Sequence, residues 1–149
     1  MATKKQIEEF IAAEPIAVAG VSRNTKKFGY TAFKEVREKG LNVIPINPNT
    51  AQIDGNPCYA NVDSLPANVK SLWILTRKDQ TAGIVRVALD RGIRNIWIQQ
   101  MSESPEALEL LKGKDINLIT KQCLLMHYKP HGFHKFHRSI KGLFGMLPK

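Results

Sequence analysis

Short apolar runs alternate with helical patterns along this chain, and that alternation limits the possible folds more than any other feature of the sequence. Five runs rich in aliphatic residues predict strands at residues 16–20, 41–46, 71–75, 95–98 and 116–119. Between two of these runs, Ile84, Val85, Ala88 and Leu89 fall at helical spacing. Strands separated by helices form a parallel sheet that is covered by helices on both faces. The sequence therefore predicts a doubly wound, Rossmann-type α/β fold with a parallel sheet of about five strands.

Start and stop signals support helices near both ends of this pattern. Thr3 is placed to cap a first helix that ends before residues 14–15, Glu-Pro. Residues 104–106, Ser-Pro-Glu, open a later helix with proline near its first position, where the missing N–H is harmless. Residues 47–70 contain a turn and one short helical turn at most, and we expect them to be mostly loop. Long loops at the carboxyl ends of parallel strands are common ligand sites.

The length and composition fit one domain that spans residues 1–149. With 43% hydrophobic and 23% charged residues, the chain is long enough to bury its own core. Its apolar runs are far too short to cross a bilayer, and its amino terminus lacks the features of a secretory signal. The two cysteines, Cys58 and Cys123, are too few for a disulfide framework. We therefore expect a cytoplasmic protein with reduced cysteines and no membrane contact.

Positive charge is concentrated near the carboxyl terminus. The formal net charge is +9, and residues 121–149 contain six Lys or Arg and no acid. Residues 130–149 combine an apolar face with basic residues, which predicts a basic amphipathic helix that packs on the domain or docks on a protein partner. Its apolar face consists of Phe133, Phe136, Ile140, Leu143 and Phe144. Nucleic acid is a less favoured partner, because aromatic platforms for bases usually lie on sheets.

All four histidines lie within residues 127–137, which raises the question of a metal site. Lysines and an arginine are interleaved with them, and no carboxylate is near in sequence. Cations would be repelled by that environment. The pattern favours packing or capping histidines, and we predict no metal site.

The segment 20–29 follows the first predicted strand, where a doubly wound sheet places its phosphate-binding loop. Gly20 allows the backbone to approach an anion, and Ser22 and Asn24 offer hydrogen bonds. The following helix adds unpaired N–H groups and the positive end of its dipole. The basic residues of the segment are Arg23, Lys26 and Lys27. An ordinary surface loop with solvated lysines would contain the same residues, so the segment fits both interpretations.

The end of the second strand argues against a nicotinamide cofactor. The preceding loop is not G-x-G-x-x-G, and the strand is followed by Asn47-Pro48-Asn49 instead of an acid. Dinucleotide-binding domains use an acid at that strand end to bind the ribose hydroxyls. An uncharged corner suits an adenosine whose ribose carries a phosphate.

Several short motifs follow one another along the chain. They are AVAGVSRN at 17–24, KFG at 27–29, VIPINP at 43–48, IDG at 53–55 with Tyr59, WIQ at 97–99, and Cys123 with His127. With these motifs the chain resembles a family of small stand-alone CoA-binding proteins related to the CoA-binding domain of succinyl-CoA synthetase α subunits. It departs from the family pattern after the third strand, where Thr76-Arg77-Lys78 replaces a Pro-Pro pair.

The resemblance implies coenzyme A as the ligand. The loop 20–29 would bind the pyrophosphate, Asn47 and Pro48 would flank the adenosine, and the ends of the third and fourth strands would line the pantetheine arm. The residues predicted to bind the cofactor are Gly20, Val21, Ser22, Arg23, Asn24, Lys27, Gly29, Asn47, Pro48, Thr76, Arg77, Gln99 and Gln100. Trp73 and Trp97 are expected in the core.

The sequence shows no catalytic constellation: we find no Ser-His-Asp order, no paired carboxylates and no supported Cys-His pair. Cys123, next to Lys121, is either a reactive thiol near the ligand or a small buried residue. We also expect no complete ligase, because the chain ends before a second domain. The sequence thus predicts a protein that binds CoA or an acyl-CoA and has no evident catalysis of its own. The alternatives are a nicotinamide-dependent oxidoreductase and a CoA-ligase accessory subunit on the same fold.

Overall fold

The computed structural model describes residues 2–128 and shows a five-stranded parallel sheet with a separate two-stranded hairpin. The strands in these residues are β1 (Ile16–Ala19), β2 (Val43–Ile46), β3 (Gln52–Ile53), β4 (Asn56–Pro57), β5 (Ser71–Ile74), β6 (Asn95–Gln99) and β7 (Asn117–Gln122). The helices are α1 (Lys4–Ala12), α2 (Phe28–Glu38), α3 (Lys78–Arg91) and α4 (Pro105–Leu111). The predicted five-stranded α/β fold is confirmed. The predicted basic helix at 130–149 lies outside the described residues.

The five-stranded sheet has the order β2-β1-β5-β6-β7, and every neighbouring pair is parallel. Val18 of β1 packs in a cluster with Phe10 of α1 and Phe33 of α2, whereas Ala17 packs in a cluster with Val85 of α3. All residues of β1 and β5 are buried, as expected for central strands with helices on both faces. The core therefore lies on both sides of the sheet.

Both tryptophans are fully buried, as the sequence predicts. The ring of Trp97 meets that of Phe10 edge-on, with centroids 5.3 Å apart, and its indole N–H donates to the Gln122 carbonyl at 3.0 Å. The indole N–H of Trp73 donates to the side-chain oxygen of Gln99 at 3.0 Å. These hydrogen bonds satisfy the polar end of each ring and so allow its complete burial.

Helices α1 and α4 begin where the sequence predicts them to begin. The Thr3 hydroxyl accepts from the Gln6 backbone N–H at 3.1 Å, and the Gln6 side chain accepts from the Thr3 N–H at 2.9 Å, which completes a capping box. Ser104 caps α4 by accepting from the Ala107 N–H at 3.1 Å. Within residues 2–128, no helix has both the length and the apolar character that a membrane span requires.

The connection from β2 to β5 contains more structure than the sequence predicts. Asp54 and Gly55 have φ angles of 50° and 78°, and they form the tight turn that joins β3 to β4. A single turn of 3-10 helix, Val62–Ser64, follows as expected. The turn was predicted but the two strands were not, because strands of two residues show no alternation that a sequence pattern could reveal.

The last strand extends beyond its predicted end and runs to Gln122. Its register against β6 shifts between Trp97 and Gln99, and Lys121 has a φ of 59°. The Glu103 carboxylate accepts from the Lys121 backbone N–H at 2.7 Å and so holds this irregular end. This polar contact is distant in sequence, and the apolar pattern of the strand therefore gave no sign of it.

Candidate functional site

A cavity of about 730 Å³ opens at the carboxyl ends of β1, β2 and β5. β2 and β5 lie on opposite sides of β1, so the loops that follow these strands separate in opposite directions. Such a switch point leaves a crevice in which ligands of doubly wound sheets usually bind. The predicted site residues that line the cavity are Gly20, Val21, Ser22, Asn47, Pro48 and Thr76. The fold thus brings these six together, and their role in binding stays a prediction.

Two glycines set the path of the loop between β1 and α2. Gly20 has a φ of +96°, and a Cβ added there would lie 2.7 Å from the backbone carbonyl carbon of Leu75. A Cβ added to Gly29 would lie 2.1 Å from the carbonyl oxygen of Gly20. A side chain at either position would therefore push the loop away from β5 or α2 away from the loop. The two glycines allow the first turn of α2 to pack closely against Gly20, which lines the cavity.

Hydrogen bonds within the first loop fix its shape and leave its donors available. The Ser22 hydroxyl oxygen accepts from the Asn24 backbone N–H at 2.9 Å, and the Asn24 side-chain oxygen accepts from the Lys26 N–H at 2.9 Å. Both contacts use the oxygen atoms of these side chains as acceptors and leave their hydrogen-bond donors unused. The Ser22 O–H and the Asn24 side-chain NH₂ are the groups that an anion would need.

The four other predicted residues of this loop occupy different positions. Arg23, Asn24 and Lys27 are exposed on its outer part and do not line the cavity. Gly29 is buried where α2 packs against Gly20. The cationic side chains of the loop therefore lie on its exposed part and do not form the cavity walls.

Asn47 joins the two loops that flank the cavity. Its side-chain NH₂ donates to the Val21 carbonyl at 2.9 Å, and its side-chain oxygen accepts from the Asn49 N–H at 2.7 Å. Its backbone N–H donates to the Tyr59 carbonyl at 2.9 Å. Asn47 thus holds the β1 loop against the end of β2, a structural role that the sequence pattern did not reveal.

Thr76 contributes a hydroxyl whose orientation the surrounding groups determine. The fully buried Thr81 hydroxyl donates to the Ser102 carbonyl at 2.7 Å and lies 3.2 Å from the Arg77 carbonyl. A hydroxyl has only one proton, so the 2.9 Å hydrogen bond between the two threonines requires Thr76 as its donor. The Thr76 oxygen then offers only lone pairs to a further partner.

Arg77, Gln99 and Gln100 do not line the cavity. The exposed Arg77 guanidinium forms an ion pair with Asp79 at 3.2 Å. Gln99 is buried, and its side-chain oxygen accepts from the Trp73 indole N–H and from a backbone N–H at the end of the sheet, whereas Gln100 is exposed. Contributions of these three residues to binding stay predictions.

The wall opposite the first loop comes from the 3-10 turn and one face of α3. Its residues are Ala60, Asn61, Val62, Asp63, Asp79, Gln80, Gly83, Ile84 and Val87. A ligand site near residues 47–70 was predicted from the sequence, but the α3 face was not. The sequence could have indicated this wall, because residues 80, 83, 84 and 87 fall at helical spacing on one face of α3, and that face differs from the buried one.

The two longer helices next to the cavity begin without a side-chain cap. Lys27 and Arg77 occupy the N-cap positions of α2 and α3, and neither side chain caps a backbone N–H of the first turn. By contrast, Thr3 and Ser104 cap α1 and α4. Uncapped N–H groups together with the positive end of the helix dipole attract anions.

Of the two cysteines, the structure argues against a nucleophilic role only for Cys58, and both alternatives for Cys123 stay predictions. The Cys58 thiol donates to the carbonyls of Asn47 and Tyr59 at 3.8 Å, and burial raises the pKa of this thiol. Cys123 is half-buried and packs against the core on the α1 and α2 side of the sheet. A raised pKa keeps the Cys58 thiol protonated and unreactive.

Fold and cavity together define a doubly wound α/β protein whose sheet edge has the form of a nucleotide-binding site. The comparison with known families makes this more specific. Residues 14–129 match the model of the CoA binding domain, and the chain belongs to that family. The resemblance inferred from the motifs is therefore confirmed.

Individual relatives agree with this family. The uncharacterised protein YneT of Bacillus subtilis is 24% identical, over 82% of this chain and 91% of that protein. The α subunit of the ADP-forming acetate–CoA ligase II of Pyrococcus furiosus is 28% identical over 96% of this chain, but the chain spans only 32% of the subunit. A conserved hypothetical protein from Pyrococcus furiosus has a similar solved structure, with a TM-score of 0.70 and 29% identity over 74% of this chain and 95% of that one.

Proposed function

We propose that this chain binds coenzyme A or an acyl-CoA as a small stand-alone protein, without catalysis of its own. The observation that carries the proposal is the cavity at the switch point between β1 and β5. Membership of the CoA-binding-domain family supports the ligand class. A cytoplasmic location is part of the proposal and agrees with the two free, half-buried cysteines.

The pyrophosphate would bind between the first loop and the start of α2. This region offers the Ser22 hydroxyl, the Asn24 amide and the uncapped N–H groups of α2, with Arg23 and Lys27 exposed nearby. All of these are donors or cations, and charge-assisted hydrogen bonds to phosphate are among the stronger ones. The loop has no carboxylate that would repel the anion.

The adenosine would occupy the part of the cavity between the β2 corner and α3. Ile46, Val62, Ile84 and Val87 give this part apolar walls, and Asn47 holds the corner in place. Apolar walls with a few polar groups are typical of sites for flat ring systems. The first three residues after β2 include no acid, which supports an adenosine with a ribose phosphate over a nicotinamide dinucleotide.

The pantetheine arm would leave the cavity past Thr76. This arm contains amide N–H groups, and the Thr76 oxygen has only lone pairs left to offer. A hydrogen-bond acceptor at this position suits an amide donor and not a phosphate. The proposed ligand orientation therefore places phosphates at the first loop and amides at the end of β5.

Isothermal titration calorimetry with CoA, NAD and ATP tests the proposal. We expect a dissociation constant for CoA well below about 1 mM. CoA should bind more tightly than NAD or ATP, because only CoA has a pantetheine arm in addition to the adenosine and the phosphates. Tight binding of NAD together with CoA binding weaker than about 1 mM would reject it. Lys114→Ala is a suitable control, because it removes one exposed charge at the opposite edge of the sheet.

A role as the accessory subunit of a CoA ligase is the second candidate. The similarity to a ligase α subunit favours it, although the chain spans about a third of that protein. Co-expression with the complementary ligase subunit, followed by light scattering on the purified material, separates the two. A stable complex with CoA-dependent ligase activity would establish the accessory role.

A further inference from the structure

Gly83 is the one glycine in residues 2–128 that the folded backbone does not explain. A Cβ added at Gly83 meets nothing within 4 Å, and its φ is not positive. Gly20 and Gly29, by contrast, are excluded from carrying a side chain by backbone atoms at 2.7 and 2.1 Å. Glycine inside a helix costs stability relative to alanine, so folding alone would favour alanine at position 83.

The position of Gly83 in the cavity supplies a reason for the missing side chain. Gly83 is exposed near the middle of α3 and lines the cavity together with Gln80, Ile84 and Val87. The space that its Cβ would enter is empty in the protein itself. The backbone of α3 is therefore bare over this part of the wall, next to the aliphatic side chains of Ile84 and Val87.

We propose that Gly83 is a specificity-determining residue that leaves room for the flat base of the bound nucleotide to lie against the backbone of α3. This inference rests on the proposed CoA binding and adds the ligand part that α3 recognises. Close approach of a ring to a helix backbone is possible only without a Cβ, because even a methyl group would occupy the contact distance. The base would then lie between the α3 backbone at Gly83 and the 3-10 turn, which contributes Val62.

The variant Gly83→Ala tests the proposal, because alanine should increase the stability of the protein and decrease its affinity for CoA. Greater helix propensity and open space should raise the melting temperature by about 2 to 4 °C. The added methyl group should weaken binding of CoA and of adenosine 3′,5′-bisphosphate by about ten- to hundredfold. Binding of 4′-phosphopantetheine, which has no base, should stay unchanged. Titration calorimetry and thermal unfolding measure all of these quantities.

Asp90→Ala is the matched control. Asp90 is exposed near the carboxyl end of the same helix and does not line the cavity. Alanine there should also stabilise α3, since it raises helix propensity and removes an acid from the negative end of the dipole. We expect higher stability with unchanged affinity for both nucleotides.

The outcomes distinguish this inference from the proposed function. If the unsubstituted protein does not bind CoA, the proposed function fails and the inference fails with it. If it binds CoA and Gly83→Ala binds CoA and the bisphosphate equally well, only the inference is overturned. A loss of phosphopantetheine affinity with retained bisphosphate affinity would also overturn it, because the wrong part of the ligand would then face α3.

Discussion

Asn47 and Lys27 both belong to the segments predicted to bind CoA, yet the structure gives them different physical roles. The Asn47 side chain donates to the Val21 carbonyl and accepts from the Asn49 N–H, so its polar groups are engaged within the protein. Lys27 is exposed at the N-cap of α2, and its side chain makes no cap hydrogen bond to the helix. A residue of the first kind shapes the site, and one of the second kind can offer its charge to a ligand.

Replacing Lys27 with alanine should weaken CoA binding by about 1 to 3 kcal/mol, because it removes one charge-assisted phosphate contact. Thermal stability should stay nearly unchanged, since the side chain is exposed and caps nothing. Calorimetric titration and thermal unfolding of the variant measure both quantities, with Lys114→Ala as the charge-matched control. A lower melting temperature with full CoA affinity would instead give Lys27 a structural role.

Replacing Asn47 with alanine should lower both stability and affinity. The Val21 carbonyl and the Asn49 N–H would lose their partner, at a cost of about 1 to 3 kcal/mol in the free energy of unfolding. The β1 loop would also lose its tie to the end of β2, so CoA should bind more weakly. Urea unfolding and calorimetric titration test this, with Asn42→Ala at the opposite edge as the control. Unchanged urea stability would show that the two hydrogen bonds contribute little.

At the scale of elements, a side-chain contact links α2 to the hairpin. The Tyr30 hydroxyl, in the first turn of α2, donates to the Asp54 carboxylate at 2.8 and 3.0 Å. Asp54 forms the turn between β3 and β4, and the hairpin follows directly after the Asn47 corner. The Tyr30 hydroxyl therefore connects α2 to the hairpin, which leads away from the proposed adenosine site.

The hydrogen bond between Tyr30 and Asp54 should be lost at high pH, because it requires a protonated Tyr30 hydroxyl. The hydrogen bond to Asp54, followed by burial and the charge of Asp54, raises the pKa of Tyr30 above its ordinary value of 10.0. A raised pKa in the folded protein means that the stabilising contribution is complete below pH of about 10 and is lost as pH rises through the folded value. Ultraviolet titration of tyrosine ionisation measures this, with Tyr30→Phe to assign the signal.

Asp54→Asn supplies the reciprocal test of this link. Asparagine tolerates the positive φ at this position, so the turn should survive while the charge is removed. The pKa of Tyr30 should then move back towards its ordinary value, because the main cause of its rise is the carboxylate. A Tyr30 titration midpoint that does not change in Asp54→Asn would contradict the contact.

At the scale of the whole molecule, the features that the sequence reveals are the periodic ones. The five strands of the sheet and the caps of α1 and α4 were predictable, because apolar runs and local capping residues act over a few positions. Contacts between distant segments were not predictable. The tie from Asn47 to Val21, the Glu103 bond that extends β7 and the α3 wall of the cavity all depend on how the elements pack.

The distribution of charge around the cavity leads to a prediction about ligand choice. Among the described residues that line the cavity, Asp63 and Asp79 are charged and none is Lys or Arg. The cations Arg23 and Lys26 lie on the exposed first loop, and Arg77 is paired with Asp79. We therefore expect a phosphate on the ribose to face the exposed first loop and not the interior of the cavity.

CoA should accordingly bind more tightly than dephospho-CoA, which lacks the ribose phosphate, by about ten- to hundredfold at low salt, since one charge-assisted contact contributes roughly 1.5 to 3 kcal/mol. The preference should shrink as salt is added, because exposed charges are screened over about 10 Å at 0.1 M ionic strength. The double substitution Arg23→Ala with Lys26→Ala should reduce the preference; because Arg23 also lies near the proposed pyrophosphate position, dephospho-CoA should lose some affinity too, but less than CoA does. Titrations of both compounds at two salt concentrations provide the measurement. Equal affinities at low salt would mean that the ribose phosphate points into solvent, away from the basic loop.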